Sequence, residues 1–396
     1  MRKFSERMGR VSSSVIRDTM KYMSEPGILS LSCGSPASNG LPAAEIRDIL
    51  DKLLSENPIE LLQYGITIGY DPLRKAYIEH LLKPKGIKAE LNNTIIFTGS
   101  QQGIYLVMDV FVDPGDVVLV ENPTFLAALN ILRKMGANVV GVEMDDNGIV
   151  IEDLEEKVKK YNPKLLYTIP TFQNPTGRTI PDDRRREIAR LASQYDFVVL
   201  EDDPYGEVRV SGQPVNSIKK YDTTGNVILL NSFSKLIAPG LRVAVATAEP
   251  DIIDQLESVK QAADTHTPIL TQALCAEYLN RGLMPDHLKE TIEIYRPRLN
   301  AMLNGLTNYF PKDCQYTVPE GGFFMWVKLP RVKNTVAILE NAIRKYKVLY
   351  VPGAPFFVNP DDGLDCLRLN FSYCDPETID EAMQRLGALL EEESNK

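Results

Sequence analysis

Apolar residues along the chain follow two rhythms. Short runs rich in valine, isoleucine and leucine have few polar interruptions, and between them lie longer stretches in which apolar positions recur at helical spacing. The first rhythm predicts buried strands and the second amphipathic helices. Strands are expected at residues 94–97, 116–121, 138–142, 165–169 and 197–201, with helices at 104–111, 124–135, 152–160 and 182–194. Two more apolar runs, 227–230 and 243–246, enclose the polar stretch 231–242. This alternation predicts an α/β protein with a largely parallel sheet covered by helices on both faces. Functional groups of such sheets gather in the crevice at the strand ends.

The flanks read differently. Residues 1–30 carry a weak helical pattern through Val15, Ile16, Met20 and Met23, suggesting an N-terminal arm. A turn at 30–36 and helices at 42–54 and 71–82 follow, the second started by Asp71-Pro72, a cap followed by a first-turn proline. Beyond Pro250 the pattern is helical at 252–262, 269–280 and 285–309. A smaller α+β unit closes the chain, with strands expected at 323–327, 348–351 and 366–371 and helices at 336–346 and 376–391. The tail Glu391-Glu392-Glu393 is expected to be a solvated helix end.

Composition narrows the function. The chain has 396 residues, too many for one typical core, which predicts two domains. With 44% hydrophobic and 24% charged residues it reads as an ordinary soluble globular protein. A net charge of -9 argues against nucleic acid as the main partner. No apolar run is long enough to span a bilayer. The start Met1-Arg2-Lys3-Phe4-Ser5 has no apolar core behind it, which argues against a secretory signal. Five scattered cysteines without a CxxC fit reduced thiols in a cytoplasm and offer no metal site. Only three histidines are present, none spaced for zinc. Histidine-based acid–base chemistry is poorly supplied, so a lysine-centred mechanism gains weight.

The candidate lysine is Lys235, in Asn231-Ser232-Phe233-Ser234-Lys235 through Arg242. A free lysine is inert as the ammonium ion and needs a cationic or apolar neighbourhood to react. Gly99-Ser100-Gln101-Gln102 opens a helix whose free amides suit an anion, although it matches neither a dinucleotide fingerprint nor a P-loop. Phe172-Gln173-Asn174-Pro175-Thr176-Gly177 follows a strand and presents Asn174 as an amide donor. Glu201-Asp202-Asp203-Pro204-Tyr205 puts acids and a phenol at another strand end. Pyridoxal phosphate needs this set: a lysine for its aldehyde, a carboxylate at its ring nitrogen, donors for its phenolate and an anion pocket for its phosphate. Lys235, Asp202, Asn174 with Tyr205, and Ser100, Gln101, Ser232, Ser234 and Arg242 fill those places in turn. Phe125 suits stacking on the ring.

With these motifs in order, the sequence resembles the fold-type I, class I/II aminotransferases, in the branch of 2-aminoadipate, kynurenine and aromatic aminotransferases. Further matching segments are Leu62-Gln63-Tyr64-Gly65, Glu121-Asn122-Pro123-Thr124-Phe125 and Cys366-Leu367-Arg368-Leu369-Asn370-Phe371-Ser372. The resemblance implies a large domain, 55–285, built on a mostly parallel seven-stranded sheet between helices. It implies a small domain from 31–54 and 286–396, and an arm, 1–30, over the active site. It also implies a ping-pong exchange of the amino group between an amino acid and a 2-oxo acid. Lys235 would hold the cofactor and move the Cα proton, Asp202 would pair with the ring nitrogen, and Asn174 and Tyr205 would bond the phenolate. Arg368 would clamp the substrate α-carboxylate, with Gly34 leaving room beside it. Tyr64 would reach the phosphate of the neighbouring subunit in a homodimer with shared sites. Arg17, in the arm, would receive a distal carboxylate such as that of glutamate or 2-aminoadipate. The family often has tyrosine where this chain has Phe125; stacking survives, the hydroxyl does not.

Two other functions stay open on the motifs alone. One is a different pyridoxal phosphate reaction in the same fold, such as β-elimination or decarboxylation. The other is a regulator using the fold as an effector sensor. The acidic charge, and cofactor-domain motifs that start almost at once, disfavour the regulator.

Overall fold

Seven of the expected strands form one sheet, with their apolar residues facing helices on both sides. The structure is a computed structural model that describes residues 3–10 and 21–395. The strands are β1 Thr94–Phe97, β2 Val117–Glu121, β3 Asn138–Val142, β4 Leu165–Thr168, β5 Val198–Asp203, β6 Val227–Ser232 and β7 Ala244–Thr247. Their order is β1-β7-β6-β5-β4-β2-β3. Neighbours run parallel except at β7, which is antiparallel to both β1 and β6. Successive side chains go to opposite faces. Ile95 and Phe97 join the cluster containing Leu200 and Leu230, whereas Ile96 joins that of Leu73, Tyr77 and Val245.

The principal helices are α1 Ala43–Glu56, α2 Asp71–Tyr77, α3 Ser100–Phe111, α4 Leu126–Met135, α5 Ile151–Tyr161, α6 Asp182–Tyr195, α7 Pro250–Asp264, α8 Ile269–Asn280, α9 Met284–Tyr309 and α10 Pro376–Ser394. Helix α3 begins at Ser100, earlier than its apolar periodicity, because the glycine-bearing turn leads straight into it. A second sheet has the order β8-β9-β11-β10, with β8 Gln315–Tyr316, β9 Phe324–Lys328, β10 Val351–Pro352 and β11 Cys366–Asn370, all antiparallel. Helices α9 and α10 pack beside it through Leu299, Met302 and Leu306 against Ile379, Met383 and Leu386.

Several expectations are corrected. Residues 348–351 are two short strands: Val348–Leu349 pairs with Leu29–Ser30, and Val351–Pro352 pairs with β11. Tyr350, fully buried between them, marks where the chain changes sheets. The expected helix 336–346 holds its α-helical form only over Leu339–Arg344. Helix 71–82 leaves α geometry after Tyr77 and continues as a wider turn over Ile78–Leu82. In the acidic tail, Glu392 is not simply solvated: it accepts from Lys345 Nζ and Tyr346 Oη at 2.5 Å each. Val15, Ile16 and Met20 lie outside the described residues.

Candidate active site

The end of β6 carries the central lysine. Ser232 is the last residue of the strand, and the chain then turns sharply. Phe233, Leu236 and Ile237 are buried in one apolar cluster and pin that turn. Phe233 N donates to Val243 O (3.0 Å) and Ile237 N to Phe233 O (2.9 Å). Lys235, polar among anchored neighbours, faces the other way. Its Nζ donates to Gly34 O at 2.9 Å and lies 5.3 Å from the centre of the Phe323 ring. Burial lowers its pKa to about 8; Cys33 opposes that shift and Arg242 adds to it. A lysine so placed keeps a sizeable neutral, nucleophilic fraction near neutral pH.

Arg242 and the turn before α3 form a second group. Gly99 has φ +81°, and a Cβ there would run into the Arg242 guanidinium. Glycine is therefore required both by the backbone and by the close approach. The amides of Ser100 and Gln101 start α3 and have no intrahelical acceptor. Ser232 Oγ accepts from Ser234 N at 3.2 Å. A cation, free helix amides and hydroxyls so grouped suit a phosphate. The Gln101 side chain is exposed.

Strand β5 ends in two carboxylates on opposite faces. Asp202 is buried, and its Oδ2 accepts from Tyr167 Oη at 2.8 Å. Its Oδ1 is buried with no hydrogen-bond partner. Burial pushes its pKa up to about 7; the Tyr167 bond works against this and Asp203 adds to it. A buried carboxylate oxygen left unpaired is costly, and a protonated ring nitrogen is a group that would satisfy it. That orphaned oxygen, the unpaired helix amides and the lowered lysine together fit pyridoxal phosphate.

Asn174 sits in a turn locked by its neighbour. Gln173 Nε2 donates to Glu121 Oε2 (3.0 Å) and Pro123 O (2.8 Å), while its Oε1 accepts from Thr176 N and Thr176 Oγ1. Asn174 Oδ1 accepts from Arg368 Nη1 at 2.9 Å. Arginine is donor-only, so this contact assigns the amide and leaves its NH2 as a donor. Arg368 Nη2 donates to Ser32 O at 2.8 Å, and its Nε has no partner. No carboxylate pairs with this buried guanidinium among the described residues. Burial lowers its pKa to about 10, so it stays cationic at neutral pH. It lies 4.1 Å from the Phe324 ring and 5.2 Å from that of Phe356. Phe324 also closes on Gly34, where a Cβ would come within 2.7 Å of its Cζ. Tyr205 is buried with its ring edge-on to Phe323 and Phe324. Burial raises its pKa, Arg368 opposing and Asp202 adding, so the phenol remains a donor.

Contacts through Phe324 and Arg368 thus join Lys235, Gly34, Asn174 and Tyr205; Asp202, bonded to Tyr167, acts on Tyr205 electrostatically, and a further contact joins Arg242 to the start of α3. Phe125 is half-buried just before α4, and no described hydrogen bond or ring contact ties it to the others. Tyr64 stands apart and exposed, edge-on to His266 at 5.7 Å. Arg17 lies outside the described residues. Sequence reasoning missed Tyr167, Ser32, Phe323 and Phe324. A hydroxyl on the same face as Leu165 in an otherwise apolar strand, and the Gly321-Gly322 pair before two phenylalanines, were the available signals.

Comparison with known proteins agrees with this geometry. The family described as "Aminotransferase class I and II" matches residues 26–386. The aromatic-amino-acid aminotransferase 1 of Thermococcus litoralis is 40% identical, over 99% of this chain and 95% of its own. The crystal structure of Pyrococcus horikoshii kynurenine aminotransferase in complex with PMP superposes with a TM-score of 0.94 at 40% identity, covering 98% of this chain and 97% of that one. That of the α-aminoadipate aminotransferase LysN of Thermus thermophilus, complexed with N-(5'-phosphopyridoxyl)-L-leucine, has a TM-score of 0.90 at 36% identity, covering 98% and 97%. The chain therefore belongs to the class I and II aminotransferases, enzymes of the fold-type I architecture that use pyridoxal phosphate to move an amino group between an amino acid and a 2-oxo acid.

Proposed function

We propose that this aminotransferase exchanges the amino group of glutamate with that of an aromatic, branched or 2-aminoadipate-like partner, in a ping-pong sequence. The observation that carries the site reading is the buried Asp202 carboxylate with one oxygen unpaired at the end of β5. Pyridoxal phosphate, when bound, supplies an aldehyde for the amino nitrogen and a conjugated ring that takes up the electron pair left by the Cα proton. Asp202 holds a proton on the ring nitrogen. The Asn174 NH2 and the Tyr205 hydroxyl donate to the phenolate oxygen. Ser100, Gln101, Ser232, Ser234 and Arg242 hold the phosphate, and Phe125 stacks on the ring. Arg368 takes the substrate α-carboxylate with its remaining donor capacity, which orients the Cα–H bond. Lys235 would hold the cofactor through its amine and, once that amine is free, would take up the Cα proton and return it at the neighbouring carbon.

The cofactor is held on the body containing the seven-stranded sheet, 55–285, and closed over by a smaller body from 31–54 and 286–396 together with the arm, 1–30. A homodimer completes the site: Ile59, Leu62, Tyr64 and Ile66 are all exposed in one segment, an apolar patch that supports contact with a second copy. From it Tyr64 reaches the partner's phosphate. Five free thiols favour a reducing compartment, the cytoplasm. Relatives named for aromatic amino acids, 2-aminoadipate and kynurenine support the substrate range. Arg17 in the arm receives a distal carboxylate.

The loaded enzyme, given glutamate, 2-aminoadipate, phenylalanine and leucine in turn with a 2-oxo acid acceptor, is expected to yield the matching 2-oxo acid and new amino acid. Release of ammonia or carbon dioxide instead would overturn the reading. Arg17→Ala is expected to lower kcat/KM for the two dicarboxylic substrates and spare the others; an equal loss on all four would remove its role.

A further inference from the structure

Directly behind the start of α3 lies a polar cluster that contributes no group to the site itself. Lys260, on α7, has no exposed surface, yet all three of its ammonium hydrogens have acceptors. Its Nζ donates to Asp264 Oδ1 at 2.7 Å, Gln102 Oε1 at 3.1 Å and Thr267 Oγ1 at 3.2 Å. Gln102 Oε1 also accepts from Thr98 N (2.7 Å), and Gln102 Nε2 donates to Asp264 Oδ2 (2.6 Å). Thr98 Oγ1 donates to Asp264 Oδ2 (2.7 Å) and lies 3.0 Å from Thr267 Oγ1. Lys260 and Asp264 thus tie together the residue before Gly99, the third residue of α3 and the loop that follows α7. In that loop Thr265 has φ +65°, a conformation that a β-branched residue keeps only where its surroundings hold it.

Breaking a buried charged network by removing one partner leaves the others unpaired, so such clusters hold one geometry. Here that geometry is the turn that aims the Ser100 and Gln101 amides. We infer that Lys260, acting through Asp264, Gln102 and Thr98, is a positioning residue for the phosphate cradle: it sets the affinity for the cofactor's phosphate without touching the cofactor. This rests on the assignment of the α3 start and Arg242 to the phosphate.

The test compares two aldehydes, pyridoxal phosphate and pyridoxal, which differ only in the phosphate. Equilibrium binding of each to the cofactor-free protein is followed by the absorbance of the lysine-bound cofactor, for wild type and Lys260→Met. The variant is expected to lose on the order of 10- to 100-fold in affinity for pyridoxal phosphate, as when an outer-shell partner is removed, and about twofold or less for pyridoxal. Equal losses for both aldehydes, or no loss for either, would overturn the inference, because a merely structural lysine does not read the phosphate. Should Lys260→Met not fold, Thr98→Val removes one hydroxyl of the same network and is read in the same way. A wild-type protein that binds both aldehydes equally would instead bring down the cradle assignment itself.

Discussion

Two lysines of this chain, Lys260 fully buried and Lys235 half-buried, have opposite surroundings. Lys260 gives three hydrogen bonds, one of them to a carboxylate, and its charge is met on every side. Lys235 has one hydrogen-bond acceptor among the described residues, the Gly34 carbonyl, and no carboxylate partner there; Cys33 raises its pKa and the like-charged Arg242 lowers it. Burial lowers the pKa of both, but at Lys260 the Asp264 carboxylate pulls back against it. Adjacent residues on β5 repeat the contrast. Glu201 accepts from Ile218 N (2.8 Å) and Lys219 N (2.9 Å), using both oxygens. Asp202, just as buried, leaves one oxygen empty. In both pairs the satisfied charge holds the fold in place, and the unsatisfied one is the group that the proposed reading sets against the cofactor.

The contrast breaks most visibly at Lys235. Lys235→Ala is expected to lower kcat by roughly 10²–10⁴-fold, the range of a lost proton-transfer group, without lowering the thermal midpoint of the cofactor-free protein. Next come the β5 carboxylates. Asp202→Asn is expected to cost kcat/KM about 10²-fold or more, yet to stabilise the cofactor-free protein by about 1–3 kcal/mol at pH 8 by removing a buried carboxylate charge that has no cationic partner. Glu201→Gln should do the reverse, since it sets an NH2 against one of the two backbone donors: a stability loss of about 1–3 kcal/mol with little change in kcat. Urea unfolding and steady-state kinetics on the two variants would show whether both effects instead track together.

A smaller effect is in pH. Burial raises the pKa values of Asp202 and Glu201 to about 7, so from the usual carboxylate range up to there the folded chain holds more protons than the unfolded one. Their contribution to stability is full below the unfolded pKa and is lost as pH rises through about 7. The urea midpoint of cofactor-free Asp202→Asn is therefore expected to fall less than that of wild type between about pH 5 and pH 8. An identical fall would mean that Asp202 is already charged throughout.

Much of the site was legible because its residues interrupt apolar strand ends. Asp202 and Arg368 are polar residues in or at the end of apolar strand runs, and Asn174 and Lys235 lie in the polar turns that follow such runs. What lies opposite them was not. Ser32 meets Arg368 across 336 residues, and Lys260 meets Gln102 across 158; periodicity states which face a side chain takes, not which segment covers it. The break at Tyr350 was hidden for the same reason, since local pattern does not record that two halves of one apolar run pair with different strands. Asp202 was readable as a carboxylate, whereas Tyr167, which sets which of its oxygens is free, read only as another strand residue.

The most direct measurement is to reduce the pyridoxal-phosphate-loaded protein with borohydride, digest it and locate the phosphopyridoxyl group by mass spectrometry. The group is expected on the peptide carrying Lys235 and not on that carrying Lys260. A label on Lys260 or another lysine, or no label at all, would refute the assignment of Lys235.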